Sequence, residues 1–353
     1  MLIKKNYRFR KTAFLLITLI IFLSLFWGNI FQDEDKSKDN KGEVKLKVEG
    51  SEEEEQSGPA DTVMIGVYVF SVYDLDFPGN KINADFYVWY NAKNDSLDLL
   101  QYFELVNSVE FNKTGETDER RGDIVYQTVR INSRVKKSWD VSNFPFDRQT
   151  VELIIEDFDK DNTKLVFTAD TIGSKIDKNV HIEGWQVKDF GIKVVDNTYE
   201  TSYGDPAISI DEYSAYSRVI VYFTIEREGK GLFFKLFLGL FISVLISLLT
   251  FFVNPMDLDP RFGLSVGAIF AAIASQYVIT STLPQNESLT LVDVLHDVSF
   301  IFIFMCILAS TISLHYMKND KQKLSQKIDR VGFFILSILY VILTIFFVTK
   351  ALN

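Results

Sequence analysis

Four apolar runs crowd the last third of this chain and set what it can fold into. They read GLFFKLFLGLFISVLISLLTFFV (231–253), FGLSVGAIFAAIASQYVIT (262–280), VSFIFIFMCILASTISLHYM (298–317) and VGFFILSILYVILTIFFV (331–348). Each approaches or reaches the ~20 residues with which a helix crosses a bilayer, and a soluble core helix rarely runs so long without a charge. A fifth run, TAFLLITLIIFLSLFWGNIF (12–31), stands near the start. The pattern predicts a membrane domain of four helical spans at 230–353, with an extra hydrophobic helix at the N-terminus.

Basic residues orient these runs. Lys4, Lys5, Arg8, Arg10 and Lys11 precede the first, and KNDKQKLSQKIDR (318–330) separates the last two. Positive flanks stay in the cytoplasm, so the four spans alternate and residues 32–230 fall outside, periplasmic or extracellular. Residues 1–31 are either a signal sequence or an uncleaved anchor. Their end, LFWGNIFQDED, lacks the small-x-small site of a signal peptidase. Residues 32–61 are charged and almost free of aromatics, the composition of a solvated, disordered linker.

Residues 62–229 alternate instead. In KINADFYVWY, Ile82, Ala84, Phe86, Val88 and Tyr90 share one face, the period of a half-buried strand. DIVYQTVRI (123–131), TVELIIEDF (150–158), KLVFTAD (164–170), WQVKDFGIKVV (185–195) and SRVIVYFTIERE (217–228) behave similarly, between turn sequences FPGN (77–80), RRGD (120–123) and YGDP (203–206). Many short strands with little helical period predict an antiparallel, immunoglobulin-like sandwich. The only cysteine, Cys306, lies in a span, so the outer sandwich must hold by packing alone.

The residue inventory argues against catalysis. His181, His296 and His315 are scattered, and no H-x-x-x-H, C-x-x-C, G-x-S-x-G or phosphate-loop spacing occurs. DFDKDN (157–162) lacks the glycine and bidentate glutamate of a calcium loop. No enzyme activity, metal or cofactor is expected, and a net charge of -10 argues against nucleic acid as a partner.

One loop carries more. SNFPFDRQTVELIIEDF (142–158) sets two phenylalanines around a proline, apolar groups that need a greasy surface outside their own sheet. The order of an outer sandwich, NFPFDRQTVEL, and four spans resembles the pentameric ligand-gated ion channels, the Cys-loop receptor superfamily, in its prokaryotic form without the cysteine pair. Lys137 and Val151 stand where animal receptors carry those cysteines. IGVYVFSVYDLD (65–76), EGWQVKDF (183–190), DPRFGLSVGAIF (259–270), STLP (281–284) and LHYMK (314–318) add to the resemblance, which covers roughly 62–353.

The resemblance implies a homopentameric channel with an extracellular ligand-binding domain, opened by an unknown small ligand or by protons and passing inorganic ions. It puts the loop against the membrane helices, with Phe144, Pro145 and Phe146 on their tops, Asp147 facing Arg227, and Asp76 sharing that arginine; Pro284 ends the pore helix. The bland alternative is a surface ion pair. The alignment lays Asp259, Gly263, Gly267, Phe270, Ala274, Tyr277 and Ser281 along the conduit, a stripe with spacings of four and three. Small residues four apart also pack membrane helices, and the sequence leaves both readings open. Asp259 at the inner mouth favours cations, although PRFGL is similar to anion-selective relatives. Tyr199, Tyr203 and Tyr213 are candidates for an aromatic ligand site or for packing of their own loop. The sequence departs from the family in lacking the W-x-P stretch and the first span's usual proline. A second reading of the whole is a membrane-anchored pentameric sensor that conducts nothing.

Overall fold

A computed structural model describes residues 59–201, 214–284 and 289–352. Its outer part is a sandwich of two sheets. Strands β1 (Asp61–Asp76), β2 (Lys81–Ala92), β4 (Ser108–Arg121), β5 (Ile124–Lys136), β7 (Leu165–Ala169) and β8 (Lys175–Ile176) form one sheet, in the order β4-β5-β2-β1-β7, with β8 also on β1. Strands β3 (Phe103–Leu105), β6 (Arg148–Asp157), β10 (Ser214–Arg227) and β9 (Trp185–Tyr199) form the other, in that order.

The alternation read from the sequence is the buried face. Ile82, Ala84, Phe86, Val88 and Tyr90 are all buried, opposite Val151, Leu153 and Ile155 of β6 and Val219, Val221, Phe223 and Ile225 of β10. Each Val, Leu, Ile or Phe among them contributes about 1.5–3 kcal/mol by leaving water, which lets a domain with no disulfide stand. Two expectations need correction. The sandwich is not wholly antiparallel: β7 and β8 pair parallel with β1, because the chain crosses from the sheet of β6 to the other sheet before pairing. And β4, SVEFNKTGETDERR, is a strand without apolar alternation. As an edge strand it exposes both faces to water over much of its length and holds its place through its ladder to β5.

Four helices follow: α1 (Gly229–Leu249), α2 (Leu258–Thr280), α3 (Leu291–Lys318) and α4 (Gln322–Leu352), with a 3₁₀ turn at Thr250–Phe252. All four are long and apolar enough to cross a membrane. Helix α3 starts seven residues before its apolar run. Thr290 and Asp293 form a reciprocal capping box there, worth about 1 kcal/mol at a helix start. The basic stretch 318–330, expected to be a loop, is mostly the first turns of α4. Its Lys, Gln and Leu content favours helix, and the connection shrinks to Asn319–Lys321. Buried hydroxyls tie the spans together: Ser299 meets Tyr340 at 3.0 Å, Ser313 meets Ser325 at 2.7 Å and Thr250 meets Ser310 at 3.4 Å. Hydrogen bonding between small polar residues is a principal adhesive where no water drives association.

Candidate functional site

The last strand of the sandwich and the first span are separated by one residue, Glu228. Arg227 ends β10 with its side chain turned inward. Its Nε lies 2.6 Å from Asp147 Oδ1 and its terminal nitrogen 3.2 Å from Oδ2, a bidentate pair. Asp147 is buried and the arginine nearly so. The guanidinium sits over three rings, 4.1 Å from the centroid of Trp185, 4.8 Å from Phe77 and 4.9 Å from Phe144. Trp139 stacks on the far side of Phe77 at 4.3 Å. Arginine suits this place because its flat, weakly hydrated cation pairs and stacks at once.

Asp147 is held in turn. Gln149 Nε2 donates to its Oδ2 at 2.9 Å and to the Asp140 carbonyl at 2.6 Å, while Asp140 N–H donates to Gln149 Oε1 at 3.2 Å. This reciprocal pair closes the loop between β5 and β6. Ser142 donates through its hydroxyl and its N–H to the Asp140 carboxylate, and these bonds hold that carboxyl below the usual range. Gln149 was missed at the sequence level, since a buried glutamine differs from a surface one only by what surrounds it.

The loop touches two spans. A Cβ on Gly229, the first residue of α1, would lie 2.0 Å from the Pro145 carbonyl oxygen, so only glycine permits this approach. The Phe144–Pro145 peptide is cis. Phe146 stacks on Phe233 at 5.5 Å, and Phe233 continues to Phe237 at 4.9 Å. Leu291 N–H, opening α3, donates to the Ser142 carbonyl at 2.9 Å. Phe146 thus packs on the start of α1, whereas Phe144 turns into the arginine's cage. Asp76 does not share Arg227. Its carboxylate accepts the Gly79 N–H at 2.8 Å, closing its own turn. Its carbonyl accepts from Trp139 Nε1 at 3.0 Å, so it borders the cage through the backbone alone. Pro284 is buried just past α2.

Helix α2 has two distinct faces. Arg261, Ser265, Ala268, Ala272 and Ile279 are buried against their own subunit. Asp259, Gly263, Gly267, Phe270, Ala274, Tyr277 and Ser281 are all exposed. The stripe that packs within the subunit is therefore a different one. Arg261 is fully buried, paired with both oxygens of Asp329 in α4, and donates to the Val253 carbonyl at 2.8 Å.

Of the three tyrosines, Tyr203 and Tyr213 lie outside the described residues. Tyr199 donates to Glu156 at 2.7 Å, and Arg218 bridges both. Burial and Glu156 push the Tyr199 hydroxyl up to about 12. Across the ladder Glu104 stands directly opposite Glu156. Burial, together with the Glu156 charge, raises the Glu104 carboxyl above its ordinary range. Among the described residues no group of three or more His, Cys, Asp or Glu is placed to hold a metal.

No family model matches the chain. It is 22% identical over 283 residues to a proton-gated ion channel of Gloeobacter violaceus, covering 74% of this chain and 75% of that one. It is 21% identical over 209 residues to the human gamma-aminobutyric acid receptor subunit rho-1, and 21% over 213 residues to the bovine rho-2 subunit. These matches take in 59% of this chain and span less than half of either receptor subunit, 41% and 42%. The relatives are channels rather than enzymes. A β-sandwich followed by four helices long enough to cross a membrane, together with these relatives, makes the chain a distant homologue of the pentameric ligand-gated ion channels, the Cys-loop receptor superfamily, with Cys306 as its one cysteine and so no cysteine pair.

Proposed function

We propose that five copies of the chain form a cation-selective channel, with α2 lining the conduit and the outer domain at 62–229 receiving the opening signal, a small ligand or protons. The observation that carries this reading is the division of α2. Its buried stripe holds the subunit together, which leaves a broad exposed face for neighbouring copies and a shared axis; Asp259, Gly263, Gly267, Phe270, Ala274, Tyr277 and Ser281 lie on that face, flanked by Val266, Ile273 and Val278. The exposed flank of α4 is different, carrying Phe334, Ile335, Ile338, Val341, Ile342, Ile345 and Phe346, the surface of a helix that meets lipid. Five copies of Phe270 would make an apolar constriction that stops ions by dewetting. Arg261 is neutralised by Asp329 and turned from the exposed face, so Asp259 sets the charge of the inner mouth.

The signal reaches α2 through its neighbours. The loop at 142–147 holds β10 through Arg227 and bears on α1 and α3, so a tilt of the sandwich moves both. A ligand opens such a channel only by binding the open form more tightly than the closed one.

Cysteines introduced one at a time along 259–281, with the buried Cys306 replaced, test the conduit. Positions on the exposed stripe should react with a water-borne thiol reagent and block current, while Ser265, Ala268 and Ala272 should not. Protection of the whole stripe in every state would end the assignment. Asp259→Asn should lower the preference for cations in reversal-potential measurements, and an unchanged preference would remove Asp259 from the selectivity site.

A further inference from the structure

The ion pair that joins α2 to α4 lies beside the acidic start of α2. Arg261 stands in the first turn of that helix and is fully buried, while Asp259 before it and Gly263 after it are exposed. One terminal nitrogen of its guanidinium donates to Asp329 Oδ2 at 3.2 Å and to the Val253 carbonyl at 2.8 Å, and the other donates to Asp329 Oδ1. Its Nε is buried and makes no hydrogen bond. Among the described residues no other carboxylate comes within ion-pair distance of it. Asp329, 68 residues further along the chain, therefore compensates this charge alone.

A guanidinium stripped of that carboxylate cannot stay in place, because an uncompensated charge in an apolar interior is costly. Two spaces are open to it. One is a cavity of about 850 Å³ lined by Val253, Asn254, Asp329 and Arg330. Arg330 already puts a cation there, and like charges repel. The other is the start of α2, where Asp257 and Asp259 are exposed and a Cβ on Gly263 would meet nothing within 4 Å. The helix start carries about half a positive charge, which two carboxylates outweigh. Attraction and repulsion both send a released arginine to the mouth.

We propose that Asp329 is a specificity-determining residue of the channel. From the outermost helix it holds the Arg261 charge off the conduit and leaves Asp259 unopposed at the inner mouth. It is a positioning residue, acting through Arg261 and touching no permeating ion. Each arginine released cancels the charge of one Asp259. The inference rests on the reading of α2 as the conduit wall.

The full chain in planar bilayers under a salt gradient reports its ion preference as a reversal potential. Asp329→Asn should lower the preference for cations about tenfold, the effect of one added charge per subunit at ~10 Å through salt water. Arg261→Gln/Asp329→Asn, which removes the released charge, should restore it, a rescue that lost packing alone would not give. Where little Asp329→Asn folds, Asp329→Ser leaves room for water and should shift the preference equally. A second readout needs no current. At Gly263→Cys, with Cys306 replaced, the ratio of reaction rates for cationic and anionic thiol reagents should fall by a similar factor when Asp329→Asn is added. If either quantity survives Asp329→Asn, or stays low in the double variant, the proposal is overturned. A Gly263→Cys chain with Asp329 intact that no reagent reaches, or a wild type that prefers anions, would instead remove the conduit reading and this inference with it.

Discussion

Arg227 anchors the end of the outer domain, and in the proposed channel it is also the relay. Its charge is buried in a cage of rings and compensated by a single buried carboxylate, so the two cannot be separated cheaply. Asp147→Ala should therefore destabilise the outer domain by about 3–5 kcal/mol, the cost of stranding a buried charge. Denaturant unfolding measures this, and a loss below about 1 kcal/mol would mean that the pair behaves as a surface one. Arg227→Lys keeps the charge but loses the fork and the flat face, and it should lower current at unchanged agonist affinity if the pair relays the signal. Glu104 works in the opposite sense. Its raised carboxyl means that the folded chain binds a proton more tightly than the unfolded one. Stability from this group grows as pH falls through its folded value towards 4.5 and is absent once it ionises. Glu104→Gln should stabilise the domain at neutral pH by a few tenths of a kcal/mol, since the site is half exposed and like charges across a ladder repel only modestly. It should also flatten the melting temperature between pH 4.5 and neutrality; an unaltered profile would assign the pH dependence elsewhere.

At the scale of elements, the junction of β10 and α1 leaves no room. Gly229→Ala drives a methyl group into the Pro145 carbonyl, and such overpacking costs typically 1–3 kcal/mol. Thermal melts should show that loss, and a neutral substitution would mean that the loop can withdraw from the helix freely. Phe270→Ala on α2 should raise the current without agonist, since the ring it would form is the narrow apolar element of the exposed stripe. Much of this architecture was legible in the chain. The spans announce themselves because lipid demands unbroken apolar length, and β2, β5, β6 and β10 do so because one face of each is buried. The illegible parts share a physical cause. Strand β4 buries too little to leave a period. The start of α4 is polar because it stands beyond the lipid. The division of α2 into packing and exposed stripes follows from Arg261 reaching Asp329, a contact 68 residues apart in sequence. The arginine's partner in the loop was legible, but its aromatic cage draws on Phe77 and Trp185 from distant turns.

Across the whole molecule, charge is sorted by face at the cytoplasmic end. Acidic Asp259 stands on the exposed face of α2, and lysines and arginine line the outermost helix, only 11% of whose span is buried in the subunit. In the proposed pentamer the two signs would stand on different faces of each subunit. The assembly that this implies is directly measurable: the purified protein in detergent should have the mass of five identical subunits. A monomer or a dimer under conditions that keep the fold intact would remove the shared axis on which the conduit depends.

The clamp between Asp140 and Gln149 has a consequence for the conditions under which such a receptor can operate. With no cysteine in the outer domain, two hydrogen bonds between two atoms of Asp140 and two of Gln149 close this loop. Such a closure forms without an oxidant and survives any reductant. Opening should be indifferent to dithiothreitol or to hydrogen peroxide at thiol-selective doses, and the chain should mature equally well in a host whose envelope has lost its oxidative folding machinery.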